Sequence, residues 1–165
     1  MADLSVVIVA VDNEQRTVLQ VLVDGTSVAR TAHTCASFPV AVSDPVVRRV
    51  RAVTPDVILV DIPGDNAAVA LRAIELLRQE LPDSAVFAIG TLNQPQVIVN
   101  AMRAGAREFI ERPTTTTDLL EAFVRLTTAQ SRTRREGPKG KVFSVVNAKG
   151  GSGATTVAVN LALAL

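Results

Sequence analysis

The sequence has few residues of the kinds that stack, crosslink or bind metals. It contains no Trp and no Tyr, and only five of its 165 residues are Phe, so it lacks the aromatic platforms that stack the bases of single-stranded nucleic acid. Lys and Arg number 17 against 16 Asp and Glu, and this balance gives no reason to expect a specific nucleic-acid partner. The one cysteine, Cys35, excludes an internal disulfide and fits a reducing compartment. The lone His33 has no Cys or carboxylate partner at metal-ligand spacing. We expect the side chains of both His33 and Cys35 to be structural.

Long apolar runs are also missing. No run approaches the ~20 residues that a helix needs to span a bilayer, and the chain opens with Met-Ala-Asp and then a predicted strand rather than with a basic and then apolar leader. Hydrophobic residues still make up 48% of the sequence, which is enough for one domain of ordinary size with a core. We therefore expect a cytoplasmic globular protein with no transmembrane segment.

The clearest element is a short apolar run that ends in an acidic residue. Residues 57–60 are four consecutive apolar residues between Pro55 and the pair Pro63-Gly64, a pattern that predicts a strand buried on both faces. Asp61 follows at the carboxyl end of this strand. In an open α/β sheet that edge is where ligands bind.

Similar runs alternate with amphipathic segments along the first 130 residues. The pattern predicts further strands at 5–11, within 28–37, at 85–89 and at 108–110, and helices at 14–23, 45–54, 66–81, 94–104 and 118–129. Five strands that alternate with five helices indicate an α/β fold with a doubly wound parallel sheet and right-handed crossovers.

Charged residues follow three of the predicted strands. Asp12 comes after the first strand, Asp61 after the third, and Arg112-Pro113 after the fifth. Carboxylates gathered at one edge can hold Mg²⁺ and allow one Asp to attack a phosphoryl group. A nearby cation can stabilise the added phosphate.

Residues 5–130 resemble a response-regulator receiver domain. Asp61 matches the phosphoacceptor, Asp12 matches the first acid of the acidic pair, and residues 105–113 match the segment that ends in Lys-Pro. The resemblance implies a flavodoxin-like sheet of order 2-1-3-4-5, a metal site at Asp12 and Asp61, and a cis peptide bond before Pro113.

Three positions depart from the receiver pattern. The second acid is Asn13, which is a weaker Mg²⁺ ligand than a carboxylate. The lysine position holds Arg112, whose planar fork is not interchangeable with an ammonium. Receivers carry a hydroxyl residue after the fourth strand. In this sequence that position is Gly90, and Thr91 follows one residue later. The switch and cation positions are then Thr91, Phe109 and Arg112. We expect a pseudo-receiver, meaning a receiver domain that has lost phosphorylation, with weakened Mg²⁺ binding.

Other interpretations of Asp61 remain open. It can serve as the phosphoacceptor of a phosphorylation-responsive two-component receiver that controls a P-loop ATPase output. It can merely cap a turn at the end of its strand. As a third hypothesis, Arg112 pairs with Asp61 in a fixed salt bridge that mimics a switched state.

The composition changes after residue 130. Residues 131–140 are rich in Arg, Lys and Gly without apolar periodicity, and this predicts a flexible basic linker. A sixth strand is predicted at 142–146, followed by a glycine loop and a helix from residue 157. Residues 141–165 therefore look like the first part of a second domain.

The glycine loop resembles the deviant Walker A motif of MinD/ParA ATPases. The nucleotide-binding residues implied by this resemblance are Lys149, Gly150, Gly151, Ser152, Gly153, Ala154, Thr155 and Thr156. Lys149 matches the signature lysine, and Thr155 matches the Mg²⁺-coordinating position. Ala154 replaces the second lysine, which reaches the β- and γ-phosphates. We expect weak or non-hydrolytic binding of ATP and Mg²⁺ by the intact protein, and no catalysis by this chain alone.

The whole arrangement resembles the CpaE/TadZ family of Tad (Flp) pilus assembly proteins, which belong to the MinD/ParA superfamily. The resemblance implies a localisation and assembly factor that contacts the pilus or secretion machinery, is recruited to the cell pole, and forms a homodimer. The helices at 94–104 and 118–129 are the expected dimer face. A third class, the partition ATPases, is disfavoured by Ala154 and by the receiver-like first domain.

Overall fold

The computed structural model describes residues 3–91, 93–135 and Thr156. The predicted sixth strand and the glycine loop before Thr156 lie outside the described residues. Thr156 itself is helical and exposed. Met1–Ala129 form one compact unit, which carries the receiver-like part of the sequence.

Every strand and helix predicted for this unit is present. In chain order the elements are β1 Leu4–Val9, α1 Asn13–Asp24, β2 Ala29–Cys35, α2 Pro45–Val53, β3 Val57–Asp61, α3 Ala67–Glu80, β4 Ala85–Gly90, α4 Pro95–Arg103, β5 Glu108–Glu111 and α5 Thr116–Arg135. All neighbouring strands pair in parallel, and the sheet order is β2-β1-β3-β4-β5. The predicted doubly wound fold and strand order are confirmed.

Two element ends differ from the sequence prediction. β1 ends at Val9 rather than at Val11, whose side chain is 53% exposed, because the chain leaves the sheet to begin α1. α5 continues to Arg135, so the first five residues of the segment predicted as a linker are helical. Among the described residues, no helix is both long and apolar enough to cross a membrane.

The sheet separates two apolar layers. Alternate residues of β3 enter different layers: Ile58 and Val60 pack with α2, α3 and α4, whereas Val57 and Leu59 pack with α1 and α5. This alternation follows from the two-residue period of a strand. In the second layer the rings of Phe87 and Phe123 stack with their centroids 6.2 Å apart. Because both faces are covered, polar side chains concentrate at the strand ends.

Local capping sets the helix ends that surround the site. Asp12 is the N-cap of α1, and Asp44 is the N-cap of α2, with Pro45 at the first helical turn as predicted. After α4, Gly105 adopts a φ of 103°, which glycine tolerates without the strain that a Cβ would introduce. The chain then enters β5, which leads directly to the carboxyl edge of the sheet.

Candidate functional site

Asp61 lies at the carboxyl end of the central strand, as the sequence predicted. It is the last residue of β3, pairs with Ile89 of β4 in the parallel register, and is only 3% exposed. The next residue continues the contact, since the Ile62 amide donates to the Ile89 carbonyl oxygen at 2.7 Å. The carboxylate of Asp61 is thus held on a rigid element in a largely dry position.

Arg112 forms an ion pair with Asp61. The Arg112 amide donates to the Gly90 carbonyl oxygen at 2.7 Å, which fixes the end of β5 beside β4. From there the Nη2 of Arg112 donates to Oδ1 of Asp61. The side chain of Arg112 is 25% exposed and that of Asp61 is 4% exposed, so the pair is mostly buried. The peptide bond between Arg112 and Pro113 is cis, as the receiver resemblance implied.

Burial dominates the electrostatics of the Asp61 carboxyl. Desolvation raises its pKa above the ordinary value, while the charge of Arg112 and the hydrogen bond from Arg112 lower it, and the charge of Asp12 raises it again. The net direction is upward. Arg112 therefore offsets part, but not all, of the cost of keeping a charged carboxylate in this position.

Asp12 and Asn13, the predicted acidic pocket, are engaged by α1. Oδ1 of Asp12 accepts the Gln15 amide at 2.7 Å in the N-cap bond of the helix. Oδ1 of Asn13 accepts Nη2 of Arg16 at 2.6 Å. A divalent cation needs several oxygens that converge on one point, whereas here Oδ1 of Asp12 and Oδ1 of Asn13 already accept hydrogen bonds from the protein itself. These residues fit Mg²⁺ poorly.

Arg16, which sequence analysis did not identify, contacts the loop between β1 and α1. Its Nη1 donates to the Ala10 carbonyl oxygen at 2.7 Å and to the Val11 carbonyl oxygen at 3.3 Å. The one available signal was its position three residues after Asn13 on a predicted helix, a spacing that brings side chains together. That spacing is common in helices, so it did not point to this site in particular.

Two of the predicted switch residues, Thr91 and Phe109, lie beside Gly90. A Cβ at Gly90 would lie 3.0 Å from Cζ of Phe109, so the Phe109 ring packs directly over the space above Gly90. The Thr91 hydroxyl donates to Oδ1 of Asn93 at 2.6 Å rather than to the Asp61–Arg112 pair. The absence of a side chain at Gly90 thus lets the aromatic ring approach the sheet.

An apolar groove adjoins the ion pair. It has a volume of about 400 Å³. Its lining residues come from α1 and from the segments after β4 and β5: Gln15, Val18, Leu19, Leu22, Thr91, Arg112, Pro113 and Thr114. Thr91 and Arg112 therefore share one surface even though the Thr91 hydroxyl is directed elsewhere.

The remaining candidate residues do not add a metal centre to this unit. Cys35 is buried, and desolvation raises the pKa of its thiol, as expected for a structural cysteine. His33 lies two residues earlier on the same strand. Within residues 3–91 and 93–135, no group of three or more His, Cys, Asp or Glu side chains is placed to hold a metal. Of the predicted nucleotide-binding residues, those at 149–155 lie outside the described part.

Comparison with protein-family models finds no matching family, and comparison with curated proteins finds no significant match. Solved structures do match. One is named as a pilus assembly protein (CpaE) of Burkholderia thailandensis E264. It is 21% identical to this chain, superposes with a TM-score of 0.64, and is matched over 76% of this chain and 98% of its own. A CheY-like protein (TadZ) of Pseudomonas aeruginosa PAO1 is 21% identical to this chain and superposes with a TM-score of 0.60. The match covers 75% of this chain and 99% of that chain. The signal receiver domain of a modulated diguanylate cyclase from Desulfovibrio desulfuricans G20 is 14% identical to this chain and superposes with a TM-score of 0.66. The match covers 80% of this chain and 99% of that chain. The chain has the receiver fold.

Proposed function

We propose that this chain is the pseudo-receiver and the start of the ATPase domain of a CpaE/TadZ-type pilus assembly protein. The receiver unit acts through contacts with other proteins of the Tad pilus or secretion machinery, and not through phosphoryl transfer. The observation that carries this proposal is the buried ion pair between Asp61 and Arg112. The likeness in fold to proteins named CpaE and TadZ supports the family assignment.

The ion pair opposes phosphorylation of Asp61. A nucleophilic carboxylate needs a free oxygen and a cation that binds the incoming phosphoryl group. Arg112 already donates to Asp61, and its planar guanidinium is suited to holding a carboxylate through hydrogen bonds. An incoming phosphoryl group would have to displace this contact.

The same pair supports a fixed signalling state. Phosphorylation of a receiver rearranges the charge around the phosphoacceptor, whereas here a permanent cation is already paired with the carboxylate. The Phe109 ring is likewise packed over Gly90, where a hydroxyl residue would otherwise stand. We infer that the unit presents one constant surface to its partners, which suits an assembly or localisation factor.

Homodimerisation and polar recruitment are further parts of this proposal. The α4 and α5 helices, which are the expected dimer face, expose Met102 and Val124 at 46% and 49%. We propose that the intact protein uses this face to form a homodimer at the cell pole. Residues 149–156 would bind ATP and Mg²⁺ weakly or without hydrolysis, since Ala154 cannot supply the second lysine.

Incubation of the full chain with Mg²⁺ and either acetyl phosphate or beryllofluoride tests the loss of phosphorylation. Intact mass and amide NMR shifts of Asp61 report modification. We expect no modification at millimolar donor, and identical spectra for Asp61→Asn and for the exposed control Asp83→Asn with and without donor. Saturable modification that disappears only in Asp61→Asn would instead identify a phosphorylation-responsive receiver.

A further inference from the structure

The two edge strands of the sheet, β2 and β5, differ in how their outer sides are protected. The pairing of β2 with β1 shifts register between Val6 and Val7, and the Thr31 amide of β2 donates to Oδ1 of Asp24 at 2.8 Å. Irregular pairing and occupied backbone groups both oppose the addition of another strand. The edge at β2 is therefore blunted.

β5 has no protection of this kind among the described residues. It pairs with β4 on one side, and the described part of the chain places no strand on its outer side. The backbone amides of that part which donate to side chains all belong to other segments. Alternate residues of an edge strand direct their N–H and C=O groups away from the sheet. β5 thus offers backbone groups with which a further strand can pair.

A groove lies along β5 and α5. It has a volume of about 430 Å³, and its lining includes every residue of β5. We call it the acidic groove, because its charged lining residues are four acids and one base: Glu108, Glu111, Asp118, Glu121 and Arg125. Its formal charge is negative even though the whole chain has a formal net charge of +1. The acidity is therefore a local property of this surface.

Part of this negative charge has no partner within the described chain. Arg125 forms ion pairs with Glu108 and, at 3.5 Å, with Glu121. The side chain of Glu111 is exposed and makes no hydrogen bond or ion pair with the residues that the structure describes. A cation placed beside β5 would meet this free carboxylate within a surplus of negative charge, which favours a basic ligand.

We propose that β5 and the acidic groove bind an extended, basic segment of a partner protein, which joins the sheet as an additional strand beside β5. The inference rests on the proposed function, an assembly factor that acts through protein contacts, and it assigns the surface and the chemistry of the partner. Hydrogen bonds to the β5 backbone supply affinity. Lys or Arg at every second position supplies specificity, because alternate side chains of a strand share one face.

The same charges oppose pairing of β5 with β5 of a second copy. Such pairing would bring Glu108 and Glu111 of both chains close together, and like charges on paired strands destabilise a sheet. The homodimer proposed above uses the face that exposes Met102 and Val124, neither of which lines the acidic groove. We therefore assign the β5 edge to a different protein.

Fluorescence anisotropy of a labelled peptide, titrated with the full chain, tests the proposal. The probe is Val-Lys-Val-Arg-Val-Lys with blocked ends, and Val-Glu-Val-Glu-Val-Glu is its acidic control. We expect saturable binding of the probe and at least ~10-fold weaker binding of the acidic control. Glu111→Lys reverses the free charge and should weaken binding of the probe by at least ~10-fold. Glu75→Lys, at an exposed position on α3, should match the wild type.

Hydrogen exchange of the backbone amides, followed by NMR, locates the bound peptide. Alternate amides of β5 should exchange at least ~10-fold more slowly when the probe is bound, because they become donors in a new strand pair. The amides of β2, the blunted edge, should not change. A probe with the same side chains but methylated backbone amides cannot donate to β5 and should bind more weakly than the original.

Several results would overturn the proposal. They are no saturation up to ~1 mM chain, equal binding of the acidic or the methylated peptide, and unchanged exchange at β5 with the probe bound. If circular dichroism shows that Glu111→Lys does not fold, the exchange experiment on the wild type decides. Neither measurement reports on phosphorylation of Asp61. The pseudo-receiver function can therefore fail while the docking site stands, and the reverse.

Discussion

Substitution of Arg112 by Met should destabilise the chain in a strongly pH-dependent way. The variant keeps most of the apolar stem but removes the cation that donates to Asp61, whose side chain is 4% exposed. Removal of one partner from a buried ion pair costs ~3–5 kcal/mol because the other charge is left uncompensated. The Arg112 side chain is 25% exposed, so water can reach part of the site, and we expect a cost of about 3 kcal/mol at pH 8.

The pH dependence follows from the pKa of Asp61. Burial already raises this pKa above its ordinary value, so the folded chain binds the proton more tightly than the unfolded chain, and stability falls as the pH rises through that window. Loss of Arg112 removes the influence that lowers the pKa, and the folded-state pKa rises further. The penalty of Arg112→Met is therefore present above the pKa of the variant and fades below the pKa of the wild type, where Asp61 is neutral in both proteins.

Urea unfolding at several pH values measures this effect. With an m-value of about 2 kcal/mol/M, a loss of 3 kcal/mol lowers the midpoint by roughly 1.5 M at pH 8. The double variant Arg112→Met/Asp61→Asn should recover much of this loss, since no unpaired charge remains. Arg107→Met, at an exposed position just before β5, is the matched control. Equal destabilisation by Arg112→Met at pH 8 and at low pH would refute the electrostatic argument and assign the effect to packing.

Two further predictions concern side-chain packing against β4, the strand that carries Phe87 and Gly90. Gly90→Val should lower the free energy of unfolding in urea by about 1–3 kcal/mol, because its Cβ would lie 3.0 Å from Cζ of Phe109. Adding Phe109→Leu should restore part of this loss. The control Gly64→Val, whose Cβ would meet open space, should not show the loss. Phe123→Ala should cost about 3–5 kcal/mol by leaving a cavity beside Phe87, and a change below 1 kcal/mol would mean that the layer between α5 and the sheet collapses to fill the space.

Hydrophobic periodicity was sufficient to predict the alternation of strands and helices, whereas the strand order was implied by the resemblance to receiver domains. The apolar run before Asp61 indicated a strand buried on both faces, and all five residues of β3 are buried. Element ends were less predictable where an apolar residue lies outside the sheet: Val11 extends the pattern of β1 but lies beyond its last paired residue. The end of α5 at Arg135 was missed for the opposite reason, since a helix needs no apolar stripe to continue once it has begun.

The candidate site could be predicted only in part. Asp61 and Arg112 were both identified from the strands that precede them, and their pairing was one of several open hypotheses. Arg16 was not identified, because contacts between side chains three residues apart on a helix surface are common and rarely functional. The close approach of Phe109 to Gly90 could not be deduced from either residue alone.

The sequence by itself determined which segments are strands and which are helices, and that Asp12, Asp61 and Arg112 follow strands whose ends lie at one edge of a parallel sheet. These features depend on local periodicity and on the chain direction, which a single sequence contains. Only the tertiary structure decided which charges meet. Asp61 and Arg112 are 51 residues apart and become partners because β4 holds β3 and β5 in register on either side. Their distance depends on the packing of three strands at once, and no local pattern encodes it.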